Sequence, residues 1–290
     1  LLKGDKLSFS RLSKTLVASS SSIRSLLFKR GNKGDVISAI DVSVAFLQSL
    51  EYDSSDPPRY VYHRPSPDSR PQYYRLRGPI YGQRVASKKW YDTLVLFMLS
   101  QGFIQGKDEP CSFYNPTTHM TVLAYVDDII CRGSDSATQE FYSNLTRRFD
   151  CKDPSYLAYD NPLHFIGFDI KITRDELSDI ISIDQCDTIK EFLKVHEAKP
   201  VYNIKSPMAT SYIDKDSPLL SPEDKVRYQS IVGSLNYFAQ ILRWDISFPA
   251  NRLSHHSANP RVSSWRAMER VLSYMLSTVD FSISGRMLEG

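Results

Sequence analysis

Cysteine is scarce in this chain of 290 residues. The four present, Cys111, Cys131, Cys151 and Cys186, lie 20, 20 and 35 positions apart, with no CxxC pair and no Cys/His cluster. That argues against a zinc site and for a reducing compartment. Long apolar runs are lacking too. The longest near the middle, Leu94 to Leu99, is far short of the roughly 20 residues a membrane helix needs. Lys3 and Asp5 place charge where the apolar core of a signal peptide would sit, so no signal peptide is expected to open the chain, and no membrane partner is expected. The chain does not begin with Met, which reads as a piece of something longer, and no internal repeat is visible. What remains is ordinary globular material, 41% apolar and 24% charged, long enough for one large domain or two modest ones.

The net charge of +3 hides an uneven distribution. Between Arg70 and Tyr91 there are six basic residues and no acidic one; from Asp127 to Glu191 there are 14 acidic and seven basic; from Arg243 to Arg270 five arginines face Asp245 and Glu269. Aromatics sit inside the first basic stretch (Tyr73, Tyr74, Tyr81, Trp90, Tyr91). A basic–acidic–basic layout of this kind suits a polyanion lying across a surface, with solvated faces of a neutral enzyme as the competing reading.

The pattern of apolar residues predicts a capped helix over 20–28, stopped near Gly31 and Gly34, and a strand over 36–42 that is apolar on both faces and therefore central in a sheet. Residues 52–71 read as a Pro-, Asp- and Ser-rich loop with one extended piece at 60–62. Trp90, Leu94, Phe97 and Met98 recur at helical spacing over 86–101. The runs 121–126 and 129–131, parted only by Asp127 and Asp128, have the layout of a tight β-hairpin. A helix is predicted over 139–149, and strands over 165–172 and 181–183. The proline-rich stretch 200–222 marks a boundary, beyond which the pattern is all-helical: one stripe runs from Tyr228 to Leu242, another through Trp265, Met268, Leu272 and Met275.

Two acidic positions are unexpected on folding grounds. Asp41 interrupts an apolar strand, and Asp127 with Asp128 occupies the tip between two apolar runs. An ionised carboxylate beside a core costs several kcal/mol unless paired or metal-bound, and adjacent carboxylates repel, so a cation is the simplest compensation. If strand 36–42 neighbours the hairpin, Asp41 and Asp127 converge on an oxygen-rich site suited to Mg²⁺ or Mn²⁺ rather than zinc. A plain turn at 127–128 and a solvent-exposed strand end at 41 are the competing readings.

These residues resemble a known family. Tyr125, Val126, Asp127 and Asp128 match the YxDD box of reverse transcriptases, and the stretch from Asp41 to Leu47 is similar to the DVxxAFL motif of copia-type (Pseudoviridae) retrotransposon polymerases. Further matches follow in order: Val61, Tyr62 and Pro65; the run from Tyr74 to Gly82 with Ala86 and Trp90; Gly102 to Phe113; Phe165 to Gly167; Ile183 to Gln185; Tyr228 to Tyr237; and Asp245 through Trp265 and Arg270 to Thr278. They cover roughly residues 10–280, and an ordered set is far more specific than YxDD alone.

The resemblance implies an α+β right-hand polymerase: partial fingers and a palm with an antiparallel sheet and the YxDD hairpin over 1–205, and a helical thumb or connection over 206–290 without RNase H. It implies RNA-directed DNA polymerase activity, in which Asp41, Asp127, Asp128 and the Val42 carbonyl hold two Mg²⁺ ions (or Mn²⁺) while a primer 3′-hydroxyl attacks a deoxynucleotide. Phe46 matches the family's sugar gate, with a core aromatic as the alternative. Tyr81 and Gly82 would lie under the nascent base pair, with a simple turn as the alternative, and Arg84 near the dNTP. Arg75, Arg77, Lys88, Arg266 and Arg270 are candidate contacts to primer and RNA or DNA template, or else solvated. RNase H and integrase segments of a polyprotein are the implied partners, and the cytoplasm, within a virus-like particle and with possible nuclear access for the intact element, is the implied location. Val85 and Ser87 replace a polar residue and a proline of the family pattern, Trp244 replaces the proline of RPDI, and no basic fingertip segment is recognisable. A catalytically inactive relic that only binds nucleic acid is therefore the second reading, and a metal-dependent phosphodiesterase a third.

Overall fold

The computed structural model describes residues 17–29, 31–32, 34–176, 178–201, 204–209 and 216–286. Residues 1–16, on which the signal-peptide argument rests, and parts of the 200–222 stretch lie outside the described residues. The architecture is α+β, with antiparallel sheets and helices. It divides into two compact units, one ending at Ile166 and one spanning Gly167–Arg286.

The first unit is built on a six-stranded sheet. In chain order its elements are helix α1 (Ser20–Phe28), β1 (Asp35–Asp41), the hairpin strands β2 (Tyr60–His63) and β3 (Gln72–Arg75), α2 (Ala86–Ser100), β4 (Ile104–Gln105), β5 (Ser112–Tyr114), β6 (Thr121–Tyr125), β7 (Asp128–Ser134), α3 (Asp135–Arg148), β8 (Ser155–Tyr156) and β9 (Leu163–Phe165). The large sheet has the order β4-β5-β6-β7-β1-β8, while β2 and β3 form a separate two-stranded ribbon. As the double-sided apolar pattern requires, β1 is interior, paired with β7 on one side and β8 on the other. Alternation then sorts the side chains. Ile40, Ile129, Cys131, Val122 and Ala124 pack against Trp90, Leu94, Phe97 and Met98 of α2 and Phe141, Tyr142 and Leu145 of α3. Asp41 and Asp128, out of step with that set, belong to the opposite face.

The expected helices over 20–28 and 86–101 appear within a residue of their predicted bounds. Helix α3 starts four residues before the predicted 139, because the Ser134 hydroxyl accepts the Ala137 N–H at 3.3 Å and caps a turn whose polar residues carry no apolar stripe. The strand expected over 165–172 is interrupted: Ile166 and Gly167 both adopt positive φ (42° and 79°), a tight reversal between β9 and the next strand.

The second unit holds β10 (Phe168–Arg174), β11 (Asp179–Asp184), α4 (Cys186–Val195), α5 (Pro222–Ile241), α6 (Ser247–Ser254), α7 (Val262–Ser277) and β12 (Ile283–Arg286). The apolar stripe from Tyr228 to Leu242 is buried throughout. Two expectations change here. The segment after 222 is not all-helical, because β12 pairs with β11. And the division between units falls at 166/167 rather than near 205: Ile189 and Leu193 of α4 join the core formed by Tyr228, Leu235, Met268 and Leu272, so α4 packs with the helices that follow. Buried Arg243 is held there by a two-point pair with Asp245 (2.9 and 2.8 Å) and the Thr278 hydroxyl at 2.7 Å. No helix among the described residues is long and apolar enough to cross a membrane.

Candidate active site

The acidic residues gather at one end of the β1/β7 pair. Asp41 stands directly opposite Asp128 in the antiparallel register, and such partners lie on the same face of a sheet. Asp127 occupies the two-residue turn between β6 and β7, and its carbonyl accepts the Val42 N–H at 2.9 Å, tying the tip to the end of β1. The turn is strained: Val126, a β-branched residue, has φ 60°. Trp90, 1% exposed on α2, donates its indole N–H to the Val126 carbonyl at 2.6 Å and so pins the tip from the core side.

The electrostatics follow from this crowding. Burial pushes the Asp128 carboxyl up to about 6, the negative charges of Asp127 and Asp41 add to the shift, and Lys152 opposes it. Lys152 went unnoticed in the sequence. Its N–H donates to the Asp41 carbonyl at 2.9 Å and its ammonium sits 3.1 Å from Asp41 Oδ1. The backbone explains its place, since 150–152 runs alongside the end of β1, with Ser43 N–H bonded to the Asp150 carbonyl and a bridge between Val42 and Cys151.

The shift carries a sign that can be measured. In metal-free protein Asp128 titrates near 6 when folded and near its ordinary 3.8 when unfolded, so between those values the native state binds more protons. Its contribution is full below about pH 4 and is lost as pH rises through 6. Asp128→Asn should remove that loss. In EDTA its melting temperature should exceed the parent's at pH 8 and match it near pH 4, by on the order of 1 kcal/mol once solvent screening at this half-exposed site is included. Parallel curves across that range would mean Asp128 titrates normally.

The donor set is all oxygen, which fits a hard divalent cation. Yet among the described residues no three His, Cys, Asp or Glu side chains are gathered closely enough to hold one ion. The structure brings the acidic residues to one sheet end, and Lys152 lies on Asp41.

Phe46 is half-buried in the short 3-10 turn Ala45–Gln48, entered through Val44 in the left-handed region (φ 44°). Its ring lies 5.0 Å from that of Tyr81, so two residues from separate motifs meet. Tyr81 is itself exposed, and Gly82 has φ 85° with no atom within 4 Å of where a Cβ would stand. Only glycine takes that backbone without strain, and it leaves the chain open to close approach. The turn is braced by Gln83, whose side-chain oxygen accepts from the Tyr52 hydroxyl and the Ile80 N–H. Arg75, Arg77, Arg84 and Lys88 are all exposed, and Lys88 pairs with Asp92 at 2.7 Å. In the second unit Arg266 is exposed on α7, while Arg270 donates to the Ser206 carbonyl at 3.1 Å and so has a structural partner.

Residues 8–210 match the family described as "Reverse transcriptase (RNA-dependent DNA polymerase)". Across 92% of its length the chain is 33% identical to the Retrovirus-related Pol polyprotein from transposon RE2 of Arabidopsis thaliana, and 31% identical to that from transposon RE1. It is 27% identical over 70% of its length to the Pol polyprotein from transposon TNT 1-94 of Nicotiana tabacum. The chain spans 18% of each Arabidopsis relative and 16% of the tobacco one.

Proposed function

The chain belongs to the reverse transcriptase (RNA-dependent DNA polymerase) family, as a domain of the kind found in Pol polyproteins of copia-type transposons, and from that premise we propose that it extends a primer on an RNA or DNA template. The 3′-hydroxyl attacks the α-phosphate of a deoxynucleotide and pyrophosphate leaves. Residues up to 205 would serve as partial fingers and palm and the helices after 205 as thumb or connection, with RNase H and integrase supplied by other parts of a polyprotein.

One observation carries the reading: Asp41, Asp127 and Asp128 crowd one sheet end closely enough for Asp127 and Asp41 to raise the Asp128 pKa. Asp41, Asp127 and the Val42 carbonyl would hold Mg²⁺, with Asp128 beside them. Bound there, divalent ions would supply charge neutralisation for the triphosphate and acidify the attacking hydroxyl. The protein's own task is placement: Phe46 and Tyr81 would form a wall under the deoxyribose and base, Gly82 would let the backbone close on them, and Arg84 would reach the phosphates, with Arg75, Arg77 and Lys88 on the template.

Extension of a DNA primer annealed to RNA, with Mg²⁺ and deoxynucleotides, tests it. No extension by folded protein in either Mg²⁺ or Mn²⁺ would overturn it. That outcome would favour the second reading, a relic that binds nucleic acid without synthesis, which draws on the Lys152–Asp41 contact and the absence of a three-acid cluster among the described residues. Salt-sensitive binding to primer–template without turnover would mark it.

If Phe46 is the sugar gate, Phe46→Val opens room for a 2′-hydroxyl, and ribonucleotide incorporation should rise by at least about tenfold relative to deoxynucleotide, a contact effect of 1–3 kcal/mol. Unchanged discrimination in single-nucleotide extension would reduce Phe46 to a packing residue beside Tyr81.

A further inference from the structure

The ribbon of β2 and β3 presents an unusual surface. Its strands pair only with each other among the described residues, and all eight residues are exposed. A lone two-stranded ribbon is marginal in water, and an outward row of tyrosines costs solubility without adding to a core. The register sorts these side chains. Tyr60 faces Arg75 and Tyr62 faces Tyr73, which places three tyrosines and one arginine on one side, while Val61, Tyr74, His63 and Gln72 take the other. On the first side Tyr60, Tyr62 and Tyr73 are 61%, 51% and 68% exposed. The rings of Tyr62 and Tyr73 are 5.8 Å apart, and the Arg64 guanidinium lies 5.9 Å from the Tyr62 ring centre.

Flat rings flanked by guanidinium groups match the two parts of an unpaired nucleotide, a base with an exposed π-face and a phosphate. The surrounding charge has the same sign. From Arg59 to Arg77 there are five arginines against Asp68 alone, which attracts a polyanion and gives a second copy of this ribbon a repulsive partner. Tyr60 and Tyr62, two residues apart on one strand, have backbone positions about 6.8 Å apart, a spacing close to that of successive bases in an extended single strand.

We propose that this face is a stacking platform for single-stranded nucleic acid, which holds the unpaired template through Tyr60, Tyr62 and Tyr73, with Arg64 and Arg75 on its phosphates. The inference deepens the proposed function and rests on its nucleic-acid substrate. It goes beyond the arginine contacts expected from charge, because it assigns the discrimination between unpaired and paired template to aromatic side chains.

The test compares binding of the whole chain to a primer–template with a 5′ template overhang and to a blunt duplex of equal length, with 2-aminopurine in the overhang as a stacking reporter. Tyr62→Ala with Tyr73→Ala should weaken overhang binding by at least about fivefold per lost stack, abolish 2-aminopurine quenching, and leave blunt-duplex affinity unchanged. Tyr62→Phe with Tyr73→Phe should restore overhang binding and quenching. Since these side chains are exposed, the melting temperature should hold, which separates loss of stacking from loss of fold. Equal affinity for the overhang in parent and alanine variant would overturn the proposal. So would a variant that changes only sedimentation, because the face would then join copies of the chain. A preparation that fails to extend primers yet shows tyrosine-dependent overhang binding would sink the polymerase reading and leave this one standing. One that extends primers with unaltered overhang affinity in the variant would do the reverse.

Discussion

Asp127→Asn is expected to separate activity from stability, lowering the first and sparing the second. Its carboxylate sits in the hairpin turn tied to Val42, and its charge is one of the reasons the neighbouring Asp128 resists ionisation. Removing that charge relieves a like-charge contact, so the folded protein should melt no lower than the parent at pH 8, and the Asp128 carboxyl should titrate closer to its ordinary range. Primer extension should fall by at least the roughly 10²–10³-fold that follows loss of one group stabilising transition-state charge. The amide keeps the shape and much of the hydrogen bonding of the carboxylate but does not bind Mg²⁺ strongly. Circular dichroism melts, a titration of Asp128 by carboxyl-carbon NMR and single-nucleotide extension read the three effects on one variant. Extension at parental rate would remove Asp127 from the site; a fall in melting temperature matching the fall in activity would mean that the variant had lost structure rather than chemistry.

That contrast also explains which parts of the molecule were readable from the chain alone. The strand ending in Asp41 and the hairpin around Asp127 were legible because their apolar runs are dense and the acids interrupt them; burial on both faces of a central strand leaves little alternative. The helices α2 and α5 were legible for a related reason, since each carries an apolar stripe at a single period. Where structure depends on a local backbone state instead of a stripe, the pattern was silent. Ser134 starts α3 through one hydroxyl, and Ile166 with Gly167 breaks an apolar run by two positive φ values. The strand β12 contains Ser284, Gly285 and Arg286 and has no alternation to announce it; it exists because β11 offers an edge.

In the site itself, the acids were visible as exceptions to hydrophobic patterning, and the meeting of Phe46 with Tyr81 followed only from two separate motifs folding together. Lys152 was invisible. It sits in a charged stretch, Asp150 to Asp153, that reads as solvated, and only the pairing of that stretch with the end of β1 brings its ammonium to Asp41. Trp90 gave a different kind of signal. Its place in a helical apolar stripe accounts for its burial, but nothing in a stripe reveals that the indole N–H is spent on the hairpin tip.

Trp90→Phe is therefore the substitution with the most to say about how the core controls the carboxylates. A phenyl ring keeps the apolar contacts of the stripe, including the edge-on packing against Phe149 at 5.2 Å, and loses the N–H that reaches Val126. The Val126 carbonyl is then left without that donor in a turn already held at φ 60°. The stability loss should be about 1–3 kcal/mol, the cost of a part-buried acceptor losing its donor with a little missing volume, whereas Trp90→Ala should cost about 3–5 kcal/mol through the cavity it leaves. Activity should respond out of proportion. Release of the strained turn shifts Asp127 relative to Asp41, and displacements near 1 Å at a reacting centre cost about 10²-fold, so primer extension by Trp90→Phe should drop by that order at a temperature where the protein is fully folded, mainly in kcat. If extension falls only as far as the folded fraction does, the indole bond is packing alone, and the geometry of the tip must be fixed from the β1 side, through the Val42 N–H on the Asp127 carbonyl.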